Sequence, residues 1–94
     1  MFRCNETNGN GFFIRFANGY RISVQFGANT YCENYNKEGK FLESKDAEVA
    51  VVSPNGSFVK MEGQQDTIIP NVTPNELLDI MNKVAQLTDF YPNI

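Results

Sequence analysis

Residues Phe12–Phe26 read FFIRFANGYRISVQF, and the length of the turn inside this stretch decides which side chains share a face. A two-residue turn at Asn18-Gly19 would set Phe16 opposite Arg21 and Ile14 opposite Ser23, mixing apolar and polar groups on both faces. A three-residue loop Ala17-Asn18-Gly19, closed by Gly19 in the left-handed region, changes the pairs. Phe16 then opposes Tyr20, Ile14 opposes Ile22 and Phe12 opposes Val24, all on one face. The other face receives Phe13, Arg15, Arg21, Ser23 and Gln25. A slip of one residue turns every side chain over, so the register that separates apolar from polar is the expected one.

The same turn grammar recurs at Pro54-Asn55-Gly56, with Pro preset for the first turn position and Gly free to take positive φ. That loop pairs Val51 with Val59 and Val49 with Met61, and leaves Glu48, Lys60 and Glu62 outside together with Val52 and Phe58. Lys37-Glu38-Gly39 is a third candidate turn, joining Tyr35 to Phe41. A short strand is expected around residues 67–69, halted by Pro70.

Beyond Val72 the period changes. Thr73-Pro74-Asn75-Glu76 is a helix start, with Thr73 as cap, Pro74 at the first helical position and Glu76 completing a capping box. Leu77, Ile80, Met81, Val84 and Leu87 recur at helical spacing, and Leu78 and Ala85 widen the stripe. The helix is expected to run from Pro74 to about Thr88, with Phe90, Tyr91 and Ile94 as a hydrophobic tail. The expected class is α+β: an antiparallel β-meander of about four to six strands, with one C-terminal helix packed on its apolar face.

Ninety-four residues make a single domain, 1–94, with one modest core. The net charge of −3 argues against general nucleic-acid binding, which calls for a basic surplus. No apolar run approaches the roughly 18 residues that cross a bilayer, and the first residues lack a signal peptide's apolar stretch, so a cytoplasmic protein without a membrane partner is expected. Cys4 and Cys32 are then expected to be reduced, a bridge between them being the alternative for an exported chain.

Catalysis finds little chemistry to work with. The chain has no histidine, the commonest general base and metal ligand, and two cysteines alone do not make a zinc site. No phosphate loop or dinucleotide fingerprint occurs, and no cofactor is implied. Glu33, Glu38, Glu43, Asp46 and Glu48 are interleaved with Lys37, Lys40 and Lys45, the pattern of a solvated loop. Cys32 without a histidine partner reads as a structural thiol.

In the chosen register Arg15 and Arg21 stand directly opposite each other on the face away from the core, where like charges repel. Ser23 and Gln25 follow on that face, and the chain then enters a 27–32 loop containing Asn29 and Tyr31. Paired guanidinium groups with neighbouring donors suit a phosphate or carboxylate. The competing reading is an internal or intersubunit carboxylate that neutralises the pair.

The run Phe16-Ala-Asn-Gly-Tyr-Arg-Ile-Ser-Val-Gln-Phe-Gly27, followed by Asn29-Thr-Tyr-Cys32, resembles a hairpin of short uncharacterised bacteriophage accessory proteins. Their pattern is F-x-N-G-aromatic-x-apolar-S-apolar-Q-aromatic-G with an Asn-Tyr-Cys-like loop, from which Thr30 is a small departure. The resemblance covers about the first third of the chain and implies a viral protein of the bacterial host cytoplasm, with no assigned activity.

Two functions follow as expectations. The first is a non-enzymatic accessory protein that binds a small anionic ligand, such as a nucleotide signal of host defence, through Arg15, Arg21, Ser23, Gln25, Asn29 and Tyr31. The second is a protein–protein interaction module or inhibitor of a host protein, acting through a sheet edge or the aromatic outer face that carries Phe13 and Phe58. A homo-oligomer is compatible with either.

Overall fold

A computed structural model of the chain describes residues 2–4, 10–27, 30–37 and 43–87. Six strands and one helix appear among them: β1 (Phe2–Cys4), β2 (Gly11–Arg15), β3 (Arg21–Gln25), β4 (Ala47–Val52), β5 (Phe58–Val59), β6 (Ile68–Val72) and α1 (Pro74–Ala85). The sheet runs in the order β1-β2-β3-β4-β5, and β6 returns to pair with β4. All the pairings are antiparallel, so the fold is the expected α+β meander with a C-terminal helix.

The β2–β3 register follows the three-residue loop. Phe12 pairs with Val24, Ile14 with Ile22 and Arg15 with Arg21. The Phe16 amide donates to the Tyr20 carbonyl at 2.8 Å and the Gly19 amide to the Phe16 carbonyl at 2.9 Å, while Gly19 takes φ +89°. The β4–β5 loop repeats this pattern: the Ser53 amide donates to the Ser57 carbonyl at 2.8 Å, and Gly56 takes φ +91°. Val51 opposes Val59 and Val52 opposes Phe58.

The second hairpin is shorter than its sequence pattern. β5 ends at Val59, so Val49 pairs with Ile69 of β6 rather than with Met61. One edge of β4 is therefore shared end to end, Val51 and Val52 with β5 and residues 47–50 with β6. Nor does Pro70 halt β6, which continues to Val72. Ala47 pairs with Val72 and Val49 with Ile69, so β6 spends three steps where β4 spends two. The extra residue forms a bulge, and Asn71 enters the left-handed region at φ +52°. A bulge is a place where a strand tolerates a proline that has no amide to donate.

Helix α1 starts as its sequence dictates. The Thr73 side chain accepts from the Glu76 amide, and the Glu76 carboxylate accepts the Thr73 amide at 2.9 Å, a complete capping box. Ile80 and Val84 are buried, and Leu77, Met81 and Leu87 pack beside them. Their partners in the core are Tyr20, Ile22, Val24, Ala47, Val49, Val51, Ile69 and Val72. Ile14 is buried opposite Ile22 but lies outside this cluster. Ile22, Val49, Val51 and Val84 are fully buried, each contributing about 1.5–3 kcal/mol. The apolar stripe is narrower than expected: Leu78 is 58% exposed and Ala85 faces solvent. The helix ends at Ala85 with Gln86 as C-cap; Thr88 and the expected tail, Phe90, Tyr91 and Ile94, lie outside the described residues.

The helix end is capped from the sheet. Asn18 Nδ2 donates to the carbonyls of Val84 at 2.9 Å and Leu87 at 2.7 Å, while Asn18 Oδ1 accepts the Tyr20 amide at 3.0 Å. The turn residue of the first hairpin thus ties the end of the helix and the residue after its C-cap to the sheet.

Residues 30–37 form a series of turns, and Tyr35 lies in no strand; Glu38, Gly39 and Phe41 of the third candidate hairpin fall outside the described residues. Three carboxylates fasten this segment. Glu48 Oε2 accepts the Tyr31 amide at 2.9 Å, Asp46 Oδ1 the Glu33 amide at 2.7 Å, and Glu33 Oε2 the Lys45 amide at 2.8 Å. Part of the charged stretch read as solvated is therefore a set of tethers. Cys32 is a buried free thiol whose Sγ accepts the Asn34 amide at 3.3 Å, which fits the structural reading.

Two outcomes follow from the helix ends. Asn18→Ala is expected to lower stability by about 1–2 kcal/mol in chemical denaturation. Asn18→Asp is expected to cost at least as much at neutral pH, because it aims a carboxylate at helix carbonyls, and to recover in acid as that carboxyl protonates. Glu76 is held below its ordinary value of 4.5 by the Thr73 amide and then the Thr73 hydroxyl. A depressed carboxylate stabilises the fold above its unfolded pKa, and that contribution is lost as pH falls through the lowered folded value. Glu76→Gln keeps a capping side chain but does not titrate. Melting temperatures of parent and variant should therefore differ most near neutrality and converge as the pH is lowered from about 5.

Candidate functional site

Cross-strand pairs put their side chains on one face, so the register orders the face opposite α1 into rows. Arg15 pairs with Arg21, Arg21 with Val52 and Val52 with Phe58, which makes one row across four strands. The next row is Phe13, Ser23, Ala50 and Ile68, and the third contains Gln25 and Glu48. Among the described residues α1 covers the other face, where Ile22, Val24, Val49 and Val51 meet Ile80 and Val84.

The first row lies at the loop ends of both hairpins. Arg15 is exposed and Arg21 half-buried. Arg21 reaches the β4–β5 loop, where its Nη2 lies 4.0 Å from the point a Cβ on Gly56 would occupy. The two loops also pack together, with Pro54 against Gly19. Arg15 is engaged within the chain by an interaction of its own. A guanidinium carries five N–H donors, so one engagement does not exhaust it. Phe58 closes the row, 60% exposed.

The remaining expected site residues are placed differently. Gln25 is only 7% exposed; its Nε2 donates to Ser23 Oγ at 3.1 Å and its side chain lies over Gly11. Gln25 therefore braces Ser23 rather than facing solvent. Tyr31 is 53% exposed and its ring lies 5.3 Å from that of Tyr35, tilted by 32°. Its backbone is held at the far end of the sheet, donating to Glu48 and accepting from the Asn71 amide at 3.0 Å. Four strand residues, roughly 13 Å, separate Arg21 from Gln25, the cross-strand partner of Glu48. The arginine pair and Tyr31 thus belong to opposite ends of the face. Asn29 lies outside the described residues.

Val52 and Phe58 are the residues that sequence reasoning left unconnected to the arginines. Their outward direction was legible from the second hairpin, but their place beside Arg21 depends on the β3–β4 pairing, which closes across a connection of more than twenty residues. Three open concavities are lined by described residues, among them one of about 270 Å³ between Phe12, Val24, Phe26, Ala47, Val72 and Leu77. Neither arginine lines any of these three. Among the described residues no group of three or more His, Cys, Asp or Glu is placed to hold a metal ion, and no helix is long and apolar enough to cross a membrane. No protein-family model, curated protein or solved structure matches the chain, so the reading of this face rests on its own chemistry.

Proposed function

We propose that the protein binds a small anionic ligand without transforming it, through Arg15 and Arg21 on the outer face of the sheet. The observation that carries this reading is the direct cross-strand pairing of the two arginines. Side chains in that relation lie about 5 Å apart at Cβ, close enough for one small anion to reach both. A phosphate or carboxylate can accept from two guanidinium groups at once, and Ser23 offers a hydroxyl two residues along the strand. The bacteriophage resemblance of the 16–32 stretch gives such a binder a role as an accessory protein of the host cytoplasm, sequestering an anionic signal of host defence.

A second reading is favoured by a separate observation. Phe58 on the outer face and Phe2 on edge strand β1 are 60% and 80% exposed, and large exposed aromatic groups are common anchors for a protein partner. A host protein held at that edge or face is the alternative occupant.

Melting curves in the presence of anions separate the two. The parent's melting temperature is expected to rise with phosphate-bearing ligands. Arg21→Ala should weaken that binding roughly tenfold to a hundredfold, since a charged hydrogen bond contributes about 1.5–3 kcal/mol. The unliganded variant should melt no lower than the parent, because the repulsion with Arg15 is relieved. Arg15→Ala should weaken binding similarly. A melting temperature indifferent to every anion, with both variants destabilised, would refute the anion site and leave the interaction module.

A further inference from the structure

Asn18-Gly19 and Asn55-Gly56 occupy matching places in the two three-residue loops, but only Asn18 has its side-chain nitrogen held by the fold. We infer that Asn55 is a self-modification site: in the folded protein it loses ammonia, closes a succinimide ring with Gly56 and reopens as aspartate or isoaspartate, whereas Asn18 is preserved.

Both loops bring the reacting groups together in the same way. In each, the Asn Oδ1 accepts the amide two residues on, from Tyr20 at 3.0 Å and from Ser57 at 3.1 Å. Such a turn folds the side-chain carbonyl back toward the following peptide nitrogen, and glycine there has no side chain to obstruct the approach. That nitrogen donates to the Phe16 carbonyl in one loop and to the Ser53 carbonyl in the other, each at 2.9 Å. The nucleophile is therefore equally engaged in both.

The difference lies in the group attacked. Asn18 Nδ2, the leaving nitrogen, donates to the carbonyls of Val84 and Leu87. Asn55 is exposed, and among the described residues nothing accepts from its Nδ2. Its Oδ1 instead receives a second donor, the hydroxyl of buried Ser53. Two donors on that oxygen stabilise the negative charge that develops as nitrogen adds to Cγ. Asn10, which also precedes a glycine, is buried and engaged within the chain, and Asn8-Gly9 lies outside the described residues.

The chemistry needs only water. The Gly56 nitrogen gives its proton to hydroxide and bonds to Asn55 Cγ. The Cγ–Nδ2 bond then breaks as Nδ2 takes a proton from water and departs as ammonia. Water opens the ring at Cγ to give aspartate, or at the main-chain carbonyl to give isoaspartate. Either product adds a negative charge to a loop that the Arg21 guanidinium approaches. Isoaspartate also lengthens the main chain within the loop that sets the β4–β5 register. With only two residues to hold that register, β5 is the element that comes loose.

Incubation of the full chain at mildly alkaline pH, followed by peptide mapping in a mass spectrometer, tests the inference. Folded, Asn55 is expected to deamidate roughly tenfold faster than Asn18 or more, the effect of about one hydrogen bond on a barrier. In concentrated urea Asn18 should speed up until the two rates converge. Ser53→Ala, shown to be folded by its melting curve, should slow Asn55 roughly tenfold and leave Asn18 unchanged. Equal rates in the folded chain, or a faster Asn18, would overturn the inference. So would a difference that persists in urea, which would assign it to neighbouring residues rather than to the fold. An unchanged Asn55 rate in folded Ser53→Ala would overturn it as well, and the comparison in urea decides the matter without any variant.

Discussion

Asn18 donates its Nδ2 hydrogens to the carbonyls of Val84 and Leu87 while its Oδ1 receives the Tyr20 amide, so one side chain shapes the first hairpin loop and caps the helix. The two tasks depend on each other. The loop must have three residues, with Gly19 at positive φ, for Asn18 to stand where it does. The helix must lie across the inner face for its last turn to meet the amide. The loop length also decides that Ile22 and Val24 face Ile80 and Val84, and that Arg15 and Arg21 face away. Core and candidate site are thus opposite results of one turn.

The rest of the sheet is organised around β4. It pairs with β3 along one side and divides the other between β5 and β6. This division is possible because β5 is two residues long and because β6 carries its surplus residue as a bulge at Pro70-Asn71. The bulge has a second use: the Asn71 amide, turned out of the ladder, donates to the Tyr31 carbonyl, and Asn71 Nδ2 lies 3.3 Å from Asp46. With the carboxylates of Glu33, Asp46 and Glu48 accepting backbone amides, the 30–37 turns are pinned to the sheet mainly by polar contacts.

What could be read in advance was local. The two loops, the arginine pair and the capping box each lie within a dozen residues, where turn chemistry and periodicity act. The failures share a different cause. The hairpin pattern alone pairs Val49 with Met61, because a hairpin extends naturally to its neighbour, whereas the competing strand β6 is supplied from further along the chain. Pro70 marks a strand end unless a bulge absorbs it, and the bulge is formed against β4. Leu78 has the right composition for the stripe, but a single sheet covers only the face centred on Ile80 and Val84. Asn18 reads as an ordinary turn asparagine because its helix partners lie more than sixty positions away. The arginines were legible as a pair, and the Val52-Phe58 extension of their row was not, for the same reason of sequence distance.

The Asn18 link also sets the order in which the chain can become native. The β2–β3 hairpin closes over a handful of residues and forms early, since short loops cost little entropy and close quickly. Its tip carries a donor whose acceptors, Val84 and Leu87, leave the ribosome more than sixty residues later. Until then the apolar side of the hairpin, with Ile22 and Val24, has no helix over it. A nascent chain of this kind exposes this part of its future core from the closing of the hairpin until the helix docks. That places the interval of greatest vulnerability to aggregation or to capture by chaperones before the helix docks on the hairpin.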